Sequence, residues 1–321
     1  MRYEDSPPPS DAADDTSPAA PDRPWYARRS TLAVAAAAVA PTCLAGWVLT
    51  QVLTGAGPDD ARPPRIVMPM ALPAPAPATS PVPSPGAGAG PDAKADPLAG
   101  RTVVIDPGHN TGNFKHTDEI DQQVDIGTNS KECDTTGTTT NAGYMEAEFS
   151  LDVSRRLRTV LEGRGLKVLL THEAGTARPW GPCIDERARI GNEARADAVV
   201  SVHADGVSAG NRGFHVILPA KVKGGGADTA QIVGPSRQLG ERIAGNFART
   251  TGSSPANYLG SGTGLVVRDD LGGLNLSTRP KVFIECGNMR DAKDAAQLTS
   301  PEWRQKAAQG IADGIVGFLG G

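Results

Sequence analysis

The sequence predicts an α/β fold: a central mixed, mostly parallel sheet with helices on both faces, in a single domain. Three observations predict it. Short β-branched runs recur at Val103-Val104-Ile105, Val199-Val200-Ser201-Val202 and Val282-Phe283-Ile284, as expected of strands buried in such a sheet. Segments with helical apolar spacing alternate with these runs. Most of the 27 prolines precede residue 100, and nearly all of the periodic apolar pattern follows it. One folded domain is therefore expected over residues 100–321.

The elements follow in order. The first strand ends near Asp106, and a loop from Asn110 to Gly143, rich in Thr, Asn, Asp and Gly, comes next; loops this long are often functional, and this one is the only obvious candidate for a gate. Phe149, Val153, Leu157, Val160 and Leu161 give a helix over 145–163 its buried stripe, and Gly163 and Gly165 end it. A strand over 166–171 precedes a helix over 182–195 with Ile184, Ala188 and Gly191 inward. The strand carrying His203 follows, then a strand over 213–218 and a helix over 236–250 with Leu239, Ile243 and Phe247 on one face. A short strand at 264–267 leads to the strand that reaches Glu285. Ser300 caps the last helix and Pro301 opens it, where a missing N–H costs nothing. Its stripe is Trp303, Ala307, Ile311, Ile315 and Phe318.

The first hundred residues read differently. Residues 1–30, rich in Pro, Asp and Ser, read as a disordered cytoplasmic tail. Residues 31–53 are uncharged, mostly apolar and long enough to span a bilayer. Arg23, Arg28 and Arg29 before them and Asp59-Asp60 after them predict a single-pass signal-anchor, with the folded domain extracytoplasmic. The competing reading is a cleaved signal peptide and secretion. Residues 54–99, with their Ala-Pro repeats, read as a linker. A net charge of −4 and the lack of a basic cluster with interleaved aromatics argue against a nucleic-acid partner. The chain is expected to be a monomer.

Cys43 lies in the apolar stretch and Cys286 follows a strand core. Cys133 and Cys183 fall in loops of a domain expected in an oxidising compartment, where they can pair. Free thiols or zinc-binding thiolates are the alternatives, the latter opposed by the absence of CxxC spacing.

Three apolar runs deliver residues that bind or serve metals: His109 after Asp106-Pro107-Gly108, His203 before Ala204-Asp205, and Glu285 before Cys286-Gly287-Asn288. Ligands of open α/β sheets collect outside the carboxyl ends of the strands, so these residues are expected to meet. Two histidines and a carboxylate with one position left open suit a hydrolytic zinc ion. The carboxylate should come from the same edge, where Glu146 and Glu148 begin the first long helix; either could instead serve only the helix dipole. Glu285 then fits as a base, or else as half of a buried ion pair. Asp106 either orients His109 from behind or caps the turn at Pro107-Gly108. His116 lies in the long loop, His172 ends the second strand near the expected edge, and His215 is expected to pack inside its strand.

These motifs, in this order, resemble those of the zinc-dependent N-acetylmuramoyl-L-alanine amidases, the amidase-3 family. Val103 to His109 resembles the family's opening motif, Ser201 to Asp205 its second histidine motif, and Ile284 to Asn288 its catalytic glutamate motif. The resemblance covers residues 101–320. Gly143-Tyr144-Met145-Glu146, Gly181-Pro182-Cys183 and the loop holding Cys133 look most like the short actinobacterial members. It implies one zinc ion held by His109, Glu146 and His203, with Glu148 in reserve, and Glu285 as catalytic base. The implied reaction is hydrolysis of the amide between N-acetylmuramic acid and L-alanine, on peptidoglycan or muropeptides. It also implies that Cys133 and Cys183 pair. Thr171-His172 departs from the Thr-Arg that ends this strand in many relatives. Another zinc peptidase of wall peptides and a non-enzymatic wall-binding regulator are the competing functions.

Overall fold

The computed structural model describes residues 97–173 and 178–321. The expected tail, membrane span and nearly all of the expected linker lie outside the described residues. At the linker's end, Leu98 already packs against the core. Among the described residues no helix is long and apolar enough to cross a membrane.

The strands are β1 (Thr102–Pro107), β2 (Gln123–Asp125), β3 (Ser130–Glu132), β4 (Lys167–Leu170), β5 (Ala198–Asp205), β6 (His215–Pro219), β7 (Lys223–Gly224), β8 (Ala227–Asp228), β9 (Leu265–Arg268) and β10 (Lys281–Asn288). Six of them form one sheet in the order β4-β1-β5-β10-β6-β9. The first four in that order run parallel, β6 is antiparallel to β10, and β9 follows β6. This is the mixed, mostly parallel sheet that the apolar runs predict.

The helices are α1 (Thr117–Ile120), α2 (Glu146–Glu162), α3 (Ile184–Glu193), α4 (Val233–Thr251), α5 (Gly272–Asn275), α6 (Ala292–Leu298) and α7 (Pro301–Leu319). α2 and α4 cover one face of the sheet with α7 packed against both, and α3 covers part of the other. The stripe Phe149, Val153, Leu157 and Leu161 on α2 meets Val103, Ile105, Val200, Val202, Val282 and Ile284 in the main core. Each such side chain, fully buried, stabilises by roughly 1.5–3 kcal/mol. Ser300 caps α7 by accepting the Trp303 N–H at 3.2 Å.

Val104 and Val199 belong to a separate, smaller cluster against Ile190 and Ala194. Side chains alternate between faces along a strand. Asp106, Ser201, His203, Lys281 and Glu285 therefore share that second face with Val104 and Val199. The strands read as continuous apolar runs are thus two-faced at their carboxyl halves, apolar toward α2 and α4 and polar toward the other side.

The stretch expected as a long loop is built rather than structureless. It carries α1 and the β2–β3 hairpin, buries Ile120 and Ile126, and is tied down by a Cys133–Cys183 disulfide with Cα atoms 4.3 Å apart. The bond joins the end of the hairpin to the residue capping α3. α5, α6 and the β7–β8 hairpin are too short to carry a legible period in sequence.

Candidate active site

His109 follows β1, with its backbone in the left-handed region at φ 59°. Non-glycine residues rarely take this conformation, and when they do it is often where a side chain must be aimed. Gly108 makes the turn possible, because a Cβ there would lie 2.4 Å from His203 Cε1. His203 sits within β5 and Glu285 within β10, where the two are register partners. The strands therefore continue past both residues, and the site lies on the sheet's second face as much as beyond its edge. Glu146 enters from the first turn of α2.

Glu146 Oε1 lies 3.1 Å from His109 Nε2 and 2.9 Å from His203 Nδ1. One donor atom from each of these three residues lies within 4.8 Å of the others. The second Glu146 oxygen accepts the Thr138 N–H at 2.9 Å, which fixes the carboxylate. Gly137 precedes it at φ +73°, and a Cβ there would come 2.8 Å from the His109 ring and 2.9 Å from Glu146. The two imidazoles meet edge to face at 5.0 Å, and His203 also stacks on Phe283 at 5.3 Å. Glu148, the other carboxylate of that turn, is exposed and accepts the Met145 N–H at 3.3 Å.

The outer nitrogens are also engaged. His109 Nδ1 lies 3.1 Å from the Thr135 carbonyl and 3.5 Å from Asp134. His203 Nε2 lies 3.2 Å from Ser201 Oγ. Protons on these outer atoms leave His109 Nε2 and His203 Nδ1 with lone pairs facing Glu146. Two imidazole nitrogens and a carboxylate oxygen, converging on an open cleft, fit the donor set of a catalytic zinc ion.

Burial and the carboxylates of Glu146 and Asp205 push the Glu285 carboxyl well above the usual range. Its Oε2 has no hydrogen-bond partner among the described residues. Burial would also raise Glu146, but the neighbouring His109 and His203 outweigh it and hold that carboxyl far below the usual range. The two glutamates are thus driven apart: Glu146 is held ionised, and Glu285 takes up a proton more readily than an ordinary carboxylate. All four residues line a cleft of about 290 Å³ together with Arg268, Leu271 and Phe283.

Asp106 is not placed behind His109. Its carboxylate is fully buried and bonds Thr171 Oγ1 at 2.7 Å, Arg187 Nη1 at 2.9 Å, Ser201 Oγ at 2.9 Å and Lys281 Nζ at 3.3 Å. The register of β1 on β5 sets Asp106 opposite Ser201, which draws it toward the other histidine's strand. Sequence reasoning missed Asp134, Arg187, Ser201 and Lys281. Arg187 had one legible signal: on the helical period it falls beside the inward Ala188. His116 pairs with Glu119 at the surface, His172 lies 3.0 Å from the Pro107 carbonyl, and His215 is buried in β6 opposite Glu285.

The family profile of N-acetylmuramoyl-L-alanine amidases matches residues 103–316. The chain belongs to the amidase-3 family. Among amidase-3 proteins it is 41% identical, over 223 residues, to N-acetylmuramoyl-L-alanine amidase Rv3717 of Mycobacterium tuberculosis, covering 69% of this chain and 88% of that one. Its fold matches the crystal structure of the amidase Ami1 from Mycobacterium smegmatis with a TM-score of 0.63 and 41% identity, over 70% of this chain and 98% of that one. The apo form of Ami1 from Mycobacterium abscessus matches equally, at TM-score 0.63 and 41% identity over 69% of this chain and all of the other. Each of these relatives thus covers about two thirds of this chain, a share close to that of the profile match over residues 103–316.

Proposed function

We propose that this protein is a zinc-dependent N-acetylmuramoyl-L-alanine amidase that cuts the amide bond between N-acetylmuramic acid and L-alanine in peptidoglycan or its fragments. The observation that carries the reading is the convergence of His109, Glu146 and His203, with Glu285 beside them in the same cleft. Family membership and the names of the mycobacterial relatives support the substrate class.

His109, Glu146 and His203 hold the ion. Zinc bound there supplies a Lewis acid, which activates water and polarises the amide carbonyl. Glu285 takes a proton from the attacking water at a carboxylate oxygen as the new C–O bond forms. It returns that proton to the amide nitrogen as the C–N bond breaks, so the free amine leaves neutral. The enclosure that raises the Glu285 carboxyl suits it to both halves of this transfer. Phe283 stacks on His203 and limits the freedom of its ring.

The working location in this reading is extracytoplasmic, with residues 31–53 as a single-pass anchor and residues 54–99 as tether. The Cys133–Cys183 disulfide supports an oxidising compartment. The protein acts as a monomer, with peptidoglycan and the membrane as its partners.

The test is digestion of purified muropeptides by the full chain, with zinc content measured by elemental analysis. Free stem peptides released from glycan, with one zinc per chain, are the expected result. Shortened stems still attached to glycan would assign a carboxypeptidase instead, and binding without turnover in the zinc-loaded state would assign a regulator.

A further inference from the structure

We propose that Ser201, Asp106, Arg187 and Asp134 form one buried positioning network that fixes both histidines of the metal site, with Arg187 as the link between its two arms. The proposal rests on the reading of His109, Glu146 and His203 as metal ligands.

The first arm serves His203. Its Nε2–H donates to Ser201 Oγ at 3.2 Å, and the Ser201 hydroxyl donates to Asp106 Oδ2 at 2.9 Å. The serine relays the carboxylate's pull to the imidazole and leaves Nδ1 with its lone pair toward Glu146. The second arm serves His109. Its Nδ1 faces the Thr135 carbonyl at 3.1 Å and Asp134 Oδ1 at 3.5 Å. Asp134 is itself steadied by the Thr135 N–H at 2.8 Å.

Arg187 joins the two. Its guanidinium donates to Asp106 at 2.9 Å and to Asp134 at 2.8 Å, and also to the backbone carbonyls of Pro107 at 2.6 Å and His109 at 2.9 Å. A planar fork of donors can hold two carboxylates and two carbonyls at fixed angles, which an ammonium cannot. Lys281, wholly buried, supplies the second positive charge at 3.3 Å from Asp106. Two carboxylates face two cations, so the network is neutral in sum, the condition under which buried charge is tolerated.

Two hydroxyls donate to Asp106, and of these Thr171 reaches no histidine while Ser201 also lies 3.2 Å from His203 Nε2. Ser201 is fully buried on the polar face, between a carboxylate that accepts its proton and an imidazole two residues along its own strand. That placement gives the cluster a direction, from Arg187 through Asp106 to the ring of His203. Partners of this kind set ring orientation and ligand basicity, and losing one typically weakens metal binding by about 10- to 100-fold.

The test is Ser201→Ala in the full chain. Its zinc dissociation constant, measured by competition with a chelator, is expected to rise at least about tenfold. The visible absorption of the cobalt-loaded protein should change, because that band reports ligand geometry at the ion. A cluster that only supports the fold would lower the unfolding temperature and leave the cobalt spectrum as it was. Unchanged zinc affinity and an unchanged spectrum in Ser201→Ala overturn the proposal. If that variant fails to fold, Asp134→Asn reads the His109 arm by the same two measurements, and unchanged values there overturn it as well. Failure of the wild-type chain to bind zinc would instead remove the ligand assignment, and this proposal with it.

Discussion

Glu285 and His203 are direct cross-strand partners on parallel β10 and β5, so the residue read as base and a residue read as ligand are set by one register. The same row continues to His215 on β6, which opposes Glu285 from the other side. No loop is needed to bring base and ligand together, and sites on strands hold their geometry better than sites on loops.

Glu285→Gln should separate chemistry from metal binding. It keeps the shape of the side chain and removes its ability to take a proton. Turnover on muropeptides should fall by about 10²- to 10⁴-fold, the usual contribution of a positioned base, while zinc content stays at the wild-type level. Wild-type turnover in this variant would remove Glu285 from the mechanism.

His109→Ala and His203→Ala should each lose the ion. Their donor atoms both face Glu146 Oε1, at 3.1 and 2.9 Å, and neither has a substitute within the set. Elemental analysis after dialysis is the measurement. Full zinc content in either variant would take that histidine out of the ligand set.

Gly108→Ala tests how tightly the histidine motif is packed. An added Cβ would sit 2.4 Å from the His203 ring, closer than any real contact allows. The ring must turn, so zinc affinity should drop while the core strands remain folded by circular dichroism. Normal affinity would mean that the ring moves at no cost.

His172 should give the fold an acid-sensitive window. Burial first, and then the charge of Arg187, hold its pKa down to about 4, and its neutral ring donates to the Pro107 carbonyl. In the unfolded chain an imidazole titrates near 6.5. Between these values the unfolded chain binds a proton that the folded chain refuses. This share of stability is complete above pH ~6.5, is lost as the pH falls to about 4, and changes no further below that. Thermal unfolding followed from pH 7 to 4 should show the slope, and His172→Asn should flatten it. An equal slope in the variant would place the titrating group elsewhere.

Breaking the Cys133–Cys183 bond should destabilise the protein, because the bond closes a loop across 50 residues of sequence separation. Loss of a native disulfide costs about 2–5 kcal/mol, measurable as a shift of the denaturant midpoint with and without reductant. Asp134 follows Cys133 directly and faces His109, so zinc affinity should fall with it. A reduced protein with the oxidised midpoint would show that hairpin and helix hold together without the bond.

The fold was legible because the decisive patterns are local. The β-branched runs and the stripe Phe149, Val153, Leu157 and Leu161 need only their own periods to be read. The meeting of His109, Glu146 and His203 could be expected from strand order and from motif resemblance. Asp106 shows where such reading ends. In sequence its nearest histidine is His109, but pairing of β1 with β5 sets it against Ser201, so one of its two hydroxyl partners lies 95 residues away and the other, Thr171, 65. Lys281 reaches the same carboxylate from 175 residues away, and only the register of three strands brings them together. The hairpin within residues 110–143 was hidden for another reason. Its strands are three residues each, and the covalent bond at its end reaches a residue beyond β4.

The two-faced strands have a consequence for how the chain guards itself against misassembly. Val202 and His203 are neighbours in β5, yet one is sealed under α2 and the other faces the cleft. A slip of one residue in that strand would exchange them, driving an imidazole into hydrocarbon and leaving a valine in the cleft. The hydrophobic penalty that rejects such a slip therefore also protects the alignment of His203 with Glu285. Proofreading of the active site is thus carried out by the core, during folding, before any substrate is met.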